Sequence, residues 1–545
     1  MNSLRESCLH ILSPTDHLKW LQAVGKCKTG KRLSRGKFCD VRDLVTAIIS
    51  DYIGFRNTCR YSAPPGTRRL RALPQRSHVT QSKRLIRAIS AHHWNRMPAA
   101  HWDGVRKADQ FGPLCMQGAG SGGDQKISED CLYLNVWTGA KSADEKRPVM
   151  VWIYGGGYNS GSGSQAMYDG EALAKKGAVV VTLNYRLGVF GFFSYPELTR
   201  ESDRRGAGNF GVMDSIAALQ WVQKNIASFG GDPKRITIFG ESAGAGIVAN
   251  LMTVQQATGL FERAIGESSA WSTATIAKLQ TLPEAEEAGV KYADGLSARS
   301  LADLRAKPAD VILKAGRGVG PIVDGWLIRE DPGKVFAEGR QNKVPVLTGS
   351  NRDEFFGGTP RSAEQFIDQA RKRYGDLADN FLKLYPASTD EQARESAFYS
   401  GRDEMAFVMR NWARLASGGG KTKSYVYYFT QQPPLVPNAR GGGPFAPGPH
   451  GSATHVSEIL YVFNHLDGSR AWTDADHKVA DTMSSYWVNF AATGDPNGKG
   501  LPKWPAYDEK TQTPMVFGNK PEGAQAPTPD RLAFFQSYFE KLTAK

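Results

Sequence analysis

Nowhere in its 545 residues does the chain run to the roughly 18 consecutive apolar residues that a membrane-spanning helix requires, which argues against an integral membrane protein. Cysteine is scarce. Cys8, Cys27, Cys39 and Cys59 fall in the first hundred positions, and only Cys115 and Cys131 lie beyond them. No four of them stand at the short paired intervals of a tetrahedral zinc site, so no metal centre is implied. Acidic residues are sparse in one place only. Residues 1–100 carry 19 Lys and Arg against 5 Asp and Glu, whereas the rest of the chain carries 49 of each. The whole formal charge of +14 therefore belongs to the first hundred positions and says nothing about the partners of the remainder. Apolar residues at 41% and aromatics at 10% supply a sizeable core, which excludes disordered and collagen-like classes.

The basic segment differs in kind from the rest of the chain. Stretches such as Lys26-Cys27-Lys28-Thr29-Gly30-Lys31-Arg32 show neither strand alternation nor a helical stripe, and one modest apolar run spans residues 44–53. A basic arm for nucleic acid is one reading; a solvated extension is the plainer one, because no nucleic-acid module accompanies it. No nucleic-acid partner is expected. Glu6, His10, Asp16, His17 and Lys19 interrupt the apolar residues of positions 1–25, so no secretory signal is recognisable. Residues 1–95 are expected to be poorly ordered or foreign to the fold, and residues 96–545 to form one domain.

From about residue 98 the pattern becomes regular. Residues 148–154 form an apolar strand ending in Gly155-Gly156-Gly157, and residues 177–184 form another, rich in β-branched side chains. Residues 213–227 show helical spacing, with Gly230-Gly231-Asp232-Pro233 expected to stop the chain beyond. A third strand at 235–239 leads into Gly240-Glu241-Ser242-Ala243-Gly244 and a helix to about residue 255. Strands are also predicted at 344–348 and 425–430, and a late helix at 476–492. Apolar strands alternating with helices indicate an α/β fold with a mostly parallel sheet covered on both faces.

The chemistry begins at the G-x-S-x-G pentapeptide. Alone it is a weak signal, but it lies between a strand and a helix, where a nucleophile elbow presents its serine. Gly155-Gly156-Gly157, at the end of an earlier strand, suits an oxyanion hole, since glycine lets backbone N–H groups converge without a Cβ in the way. A nucleophilic serine needs a histidine base, and that base needs an acid to hold its tautomer. His450, His455, His465 and His477 come after Ser242, and Asp324, Asp353 and Glu354 all occupy plausible positions for the acid. The residues alone leave both choices open.

Several stretches together carry a resemblance: Glu129-Asp130-Cys131-Leu132-Tyr133-Leu134-Asn135-Val136-Trp137, Trp152-Ile153-Tyr154-Gly155-Gly156-Gly157, Asn184-Tyr185-Arg186-Leu187-Gly188, Gly208-Asn209-Phe210-Gly211, Phe229-Gly230-Gly231-Asp232-Pro233 and the serine pentapeptide. On these the chain, over about four-fifths of its length, resembles the type-B carboxylesterase family, an α/β-hydrolase group that includes bacterial p-nitrobenzyl esterases and cholinesterases. The resemblance implies Ser242 as nucleophile, Glu354 as acid and His455 as base, with the N–H groups of Gly156, Gly157 and Ala243 forming the oxyanion hole. It also implies a Cys115–Cys131 disulfide, whose loop of about 15 residues would contribute roughly 3 kcal/mol in the chain-entropy picture. A periplasmic or secreted location is implied by the family and that pair. The family's opening strands and its G-I-P-Y-A-x-P-P-type element have only a fragmentary echo here, in Tyr61-Ser62-Ala63-Pro64-Pro65-Gly66, although Trp102-Asp103-Gly104 matches a later element.

The implied activity is hydrolysis of small to medium carboxylic esters through an acyl-enzyme, with an ester and water as partners and no cofactor. Tyr158 and Trp271 are candidates for the acyl pocket. Cholinesterase-like members hold a Trp in the disulfide loop to attract a quaternary ammonium; residues 116–130 contain no aromatic, which argues against choline esters. Glu241 reads as a buried, hydrogen-bonded carboxylate rather than a second catalytic acid. The rival readings are a non-catalytic binding or adhesion protein on the same scaffold, and an amidase or feruloyl-type esterase.

Overall fold

The computed structural model describes residues 108–118, 125–203, 206–269, 279–354, 358–435, 453–508, 513–519 and 527–543. The basic segment, the 44–53 run, Trp102-Asp103-Gly104, Trp271 and His450 lie outside the described residues.

Among the described residues eight strands form one sheet: β1 (Leu134–Thr138), β2 (Arg147–Ile153), β3 (Val179–Leu183), β4 (Gly231–Glu241), β5 (Arg263–Glu267), β6 (Val346–Asn351), β7 (Ser424–Phe429) and β8 (Met515–Phe517). Their order is β1-β3-β2-β4-β5-β6-β7-β8. Only β1 runs antiparallel, against β3; every other pairing is parallel. This is the expected α/β-hydrolase arrangement. Central strands such as Val179–Leu183 are buried at every residue, which is why their sequences are continuous apolar runs rather than alternating ones.

Four helices position the site: α1 (Phe210–Asn225), α2 (Ala243–Thr253), α3 (Asp390–Ser417) and α4 (Asp474–Thr493). α1, α2 and α4 occur where the sequence predicts them, within a few residues. One boundary differs. Gly230-Gly231-Asp232-Pro233 does not form a loop after α1. The reversal is made by a short turn of helix at Ile226–Phe229 and by Gly230 at φ +76°, and β4 starts at Gly231 itself. The Arg147 N–H bonds the Gly230 carbonyl at 2.8 Å and Arg147 pairs with Gly231, so the ladder extends past the apolar stretch through an irregular register.

Packing explains several residue choices. The Trp152 ring lies 5.1, 4.8 and 5.1 Å from those of Tyr168, Phe239 and Phe463, an aromatic centre on one face of the sheet. Gly266 faces the Trp412 ring of α3, where a Cβ would clash. The chain leaving β3 is pinned to α1 by an ion pair with both side chains 1% exposed. Arg186 donates from Nε to Asp214 Oδ2 at 2.8 Å and from its second amino group to Oδ1 at 2.9 Å, and the Arg186 N–H adds a third bond at 3.0 Å.

The ion pair and the disulfide can each be tested. Asp214→Ala leaves a buried guanidinium without its counter-charge, which should cost about 3–5 kcal/mol in urea unfolding, while the paired apolar variant Arg186→Met with Asp214→Leu should cost much less. An equal loss in both would contradict the charge argument. Cys115 and Cys131 are bonded, with Cα atoms 4.8 Å apart. Non-reducing peptide mapping after expression in an oxidising compartment should therefore recover the cross-linked pair; two free thiols would reject it.

Candidate active site

The parallel register brings the carboxyl ends of β2, β4, β5 and β6 to one edge of the sheet. Ile153 pairs with Gly240, Glu241 with Glu267, and Glu267 with Gly349. The segments that leave these strands therefore emerge side by side, at the edge where open α/β sheets bind their ligands.

Ser242 sits between β4 and α2 with φ +55° and ψ −127°, a conformation that L-residues avoid. Its N–H donates to the Glu267 carbonyl at 2.9 Å, and its own carbonyl accepts from the Gly246 N–H at 3.0 Å as the amino end of α2 begins. The flanking glycines are required by proximity. A methyl group at Gly240 would meet the Ile153 carbonyl at 2.5 Å, and one at Gly244 would clash with the same atom. The turn is thus wedged against β2, and Ser242 keeps partial exposure at its apex.

Across the gap stands the turn that leaves β2. Gly156 and Gly157 adopt φ +106° and +61°, and the Gly156 carbonyl accepts from the N–H groups of Asn159 and Ser160 at 3.1 and 3.2 Å. A side chain at Gly155 would press on the Ser242 Cβ at 2.9 Å, so this turn and the elbow touch directly. Ala243, the first residue of α2, is buried beside them.

Glu354 and His455 are brought together by backbone. Asp353 forms a parallel bridge with Thr454, and the Asp353 N–H donates to the Ala453 carbonyl at 2.9 Å. The next residue on each side is then Glu354 and His455, and His455 Nδ1 lies 2.9 Å from Glu354 Oε2. Glu354 is fully buried, and its Oε1 accepts the Asn351 N–H at 3.1 Å.

The rival acids serve other ends. Asp353 takes two hydrogen bonds from Arg352 and one from the Ala453 N–H. Asp324 Oδ1 accepts the N–H groups of Trp326, Leu327 and Ile328, closing a local turn. His477 lies in the first turns of α4, and His465 comes just after the short helix Ile459–Val462.

The sequence does not reveal how many carboxylates crowd this histidine. His455 Nε2 is 3.0 Å from Glu241 Oε1. Burial alone would push the imidazole down, but Glu241 and Glu354 outweigh it and hold its pKa well above the ordinary value of 6.5. Burial raises Glu241, the His455 charge opposes that rise, and Glu354 adds to it. Two further carboxyls lie behind. Glu458 accepts from Asn351 Nδ2 at 2.5 Å and from the Ser268 hydroxyl at 3.2 Å; burial, then the charges of Glu241 and Glu354, push it up to about 8. Glu267 accepts the Trp487 indole N–H at 2.7 Å and is raised strongly, first by burial and then by Glu458. Glu458 closes the stretch His455-Val456-Ser457-Glu458, and its closeness to His455 in the chain is its sequence signal. Glu267 has none, because β5 is not recognisable from its residues.

Tyr158, at φ +62°, packs its ring 5.3 Å from Phe192 and against Gly320, and its carbonyl accepts the Gly188 N–H at 2.7 Å. Among the described residues no group of three or more His, Cys, Asp or Glu side chains could hold a metal ion, and no helix is long and apolar enough to cross a membrane.

The sequence profile of the Carboxylesterase family matches residues 93–535. The fumonisin B1 esterase of Sphingopyxis macrogoltabida is 35% identical over 458 residues, covering 78% of this chain and 79% of that protein. The para-nitrobenzyl esterase of Bacillus subtilis (strain 168) is 32% identical over 455 residues, 78% of this chain and 87% of that one. The crystal structure of a Geobacillus stearothermophilus carboxylesterase superposes with a TM-score of 0.66 at 31% identity, over 81% of this chain and 96% of that one. With a strained serine elbow, a facing glycine turn and a glutamate–histidine pair set along one edge of such a sheet, the chain belongs to the carboxylesterase family and is a carboxylic-ester hydrolase.

Proposed function

We propose that Ser242, His455 and Glu354 form the catalytic triad of this esterase and that the N–H groups of Gly156, Gly157 and Ala243 bind the oxyanion. The observation that carries the reading is the 2.9 Å contact between Glu354 Oε2 and His455 Nδ1, made while Nε2 of the same ring lies 3.0 Å from the carboxylate of Glu241, the residue that precedes Ser242. In that orientation Glu354 holds the proton on Nδ1 and leaves Nε2 as the base toward the serine side.

Ser242 Oγ attacks the ester carbonyl as its proton passes to His455 Nε2. The oxyanion moves into the concave side of the glycine turn, where backbone N–H groups and the amino end of α2 oppose its charge. The alcohol leaves with the proton from His455, and water then releases the acid by the same steps in reverse. Glu241 adds a second negative charge beside the imidazolium, which stabilises the cation formed at each tetrahedral stage. Small to medium esters are the substrate class. Tyr158, on the turn itself, and Trp271 are the side chains assigned to the acyl pocket.

Ser242→Ala should leave turnover of p-nitrophenyl butyrate no more than about 10³–10⁴-fold above the uncatalysed rate. Near-normal turnover, or labelling by a fluorophosphonate at another residue, would refute the assignment. Unlabelled wild-type protein would favour a binding role on the same scaffold instead.

The pH dependence has a definite sign. Only neutral His455 accepts the serine proton, and its pKa stands above 6.5, so kcat/KM should rise with pH through a midpoint above 6.5. Glu241→Gln removes one of the two anions that raise it, so the midpoint should move toward acid. A midpoint that stays in place, or moves toward alkali, would show that Glu241 does not act on the base.

A further inference from the structure

One side chain outside the carboxylate cluster ties the glycine turn to the rest of the molecule. Gln117 stands two residues beyond Cys115 and is 1% exposed. Its Nε2 donates to the Cys115 carbonyl at 3.1 Å and to the Gly161 carbonyl at 2.9 Å, and its Oε1 accepts the Gly161 N–H at 2.9 Å. Both amide hydrogens and the carbonyl oxygen are thereby used. Flipping the amide would set Oε1 against two carbonyls, so its orientation is fixed. Gln117 and Gly161 exchange two bonds, as facing residues of an antiparallel ladder do, with a side chain standing in for a strand.

Gly161 is where the 155–161 turn ends. It adopts φ +117°, and a Cβ there would clash with the Tyr154 ring and lie 2.9 Å from the Gly155 carbonyl. The far end of the turn is thus wedged against its own beginning, while the Asn159 and Ser160 N–H groups close it onto the Gly156 carbonyl. The direction of the Gly156 and Gly157 N–H groups depends on this closure. From outside, the Gly188 N–H holds the tip at the Tyr158 carbonyl, and Gln117 holds the end.

We propose that Gln117 is a positioning residue for the oxyanion hole: by bonding both backbone groups of Gly161 it fixes the 155–161 turn so that the Gly156 and Gly157 N–H groups converge on the substrate oxygen. The proposal rests on the oxyanion assignment above. It also makes the disulfide at Cys115 the anchor of a catalytic element, since one of the three Gln117 bonds runs to that residue's carbonyl.

The test is Gln117→Met, similar in volume but without hydrogen bonds, measured with an ester panel after titration of active sites by a fluorophosphonate. If Gln117 positions the hole, kcat per titrated site falls about 10- to 100-fold, because misplaced donors fail chiefly in the transition state. KM should stay within about threefold, and affinity for a trifluoromethyl ketone, whose adduct carries the oxyanion, should fall in step with kcat/KM. A merely structural role would lower the number of titrated sites and leave kcat per site unchanged, which would overturn the proposal. Where Gln117→Met does not yield folded protein, Gln117→Glu serves. It keeps an acceptor for the Gly161 N–H but turns an oxygen toward the Gly161 and Cys115 carbonyls, and the same fall in kcat per site is expected. Ser242→Ala, run alongside, separates the failures. Near-normal turnover in Ser242→Ala would remove the oxyanion reading and this proposal together. Loss in Ser242→Ala with normal turnover per site in Gln117→Met would remove only the role of Gln117.

Discussion

The parallel bridge between Asp353 and Thr454 is the contact on which the site depends. Glu354 and His455 are separated by a hundred residues of chain, and nothing in either local sequence favours the other as neighbour. One bridge sets them in register, and the Arg352 guanidinium and the Ala453 N–H hold Asp353 in place by satisfying its carboxylate. Glu354, the proposed acid, is thus positioned by its neighbour. Asp353, a rival for the catalytic role on sequence grounds, takes the structural one. Both Asp353 oxygens are already occupied by the Arg352 guanidinium, and one also takes the Ala453 N–H, whereas Glu354 presents Oε2 to His455.

The strain at Ser242 has the same origin in backbone placement. A non-glycine residue at φ +55° costs of order 1–3 kcal/mol and persists only when its surroundings over-determine it. They do so here. β2 blocks any side chain at positions 240 and 244, the Glu267 carbonyl takes the serine N–H, and α2 begins at once. The serine is held up by neighbours that leave the chain no alternative path.

Much of this is legible in the sequence, and the parts that are not have physical causes. The strands ending at the glycine turn and at the elbow are readable because their last residues, 148–153 and 236–241, are buried one after another and mostly apolar. α3 is not recognisable, although it has 28 residues. It buries Arg402, Asp403, Glu404 and Asn411 among its apolar residues, which breaks the stripe that periodicity relies on. β5 escapes notice because its five residues begin with Arg and end with Glu and have Gly near the end; only its flanking strands make it a strand. Of the site, the serine and the glycines can be placed from spacing and local context. The acid and base can be named only by resemblance, since their meeting is a long-range event. The crowding of carboxylates around His455 has no pattern of its own: Glu241 and Glu458 stand out only as neighbours of Ser242 and His455 in the chain, and Glu267 comes from a separate strand.

That crowding sets stability and chemistry against each other along the pH axis. Glu458, raised from 4.5 to about 8, contributes a stability that is complete below 4.5 and declines as pH climbs through 8, because the folded state keeps its proton longer than the unfolded chain does. His455 is also raised, so its favourable pairing with Glu241 and Glu354 is likewise strongest while the ring is cationic and is lost as pH passes its folded pKa. The proposed role of His455 as base needs the opposite state, a neutral ring that accepts a proton. The cluster therefore holds the fold most firmly where the base is blocked, and each proton that frees the base removes some of that support. What makes the arrangement workable is that the cation returns during turnover. In the proposed mechanism the imidazolium that the resting cluster favours is the species formed as Ser242 attacks, so carboxylates that oppose deprotonation at rest would stabilise the charge when it develops.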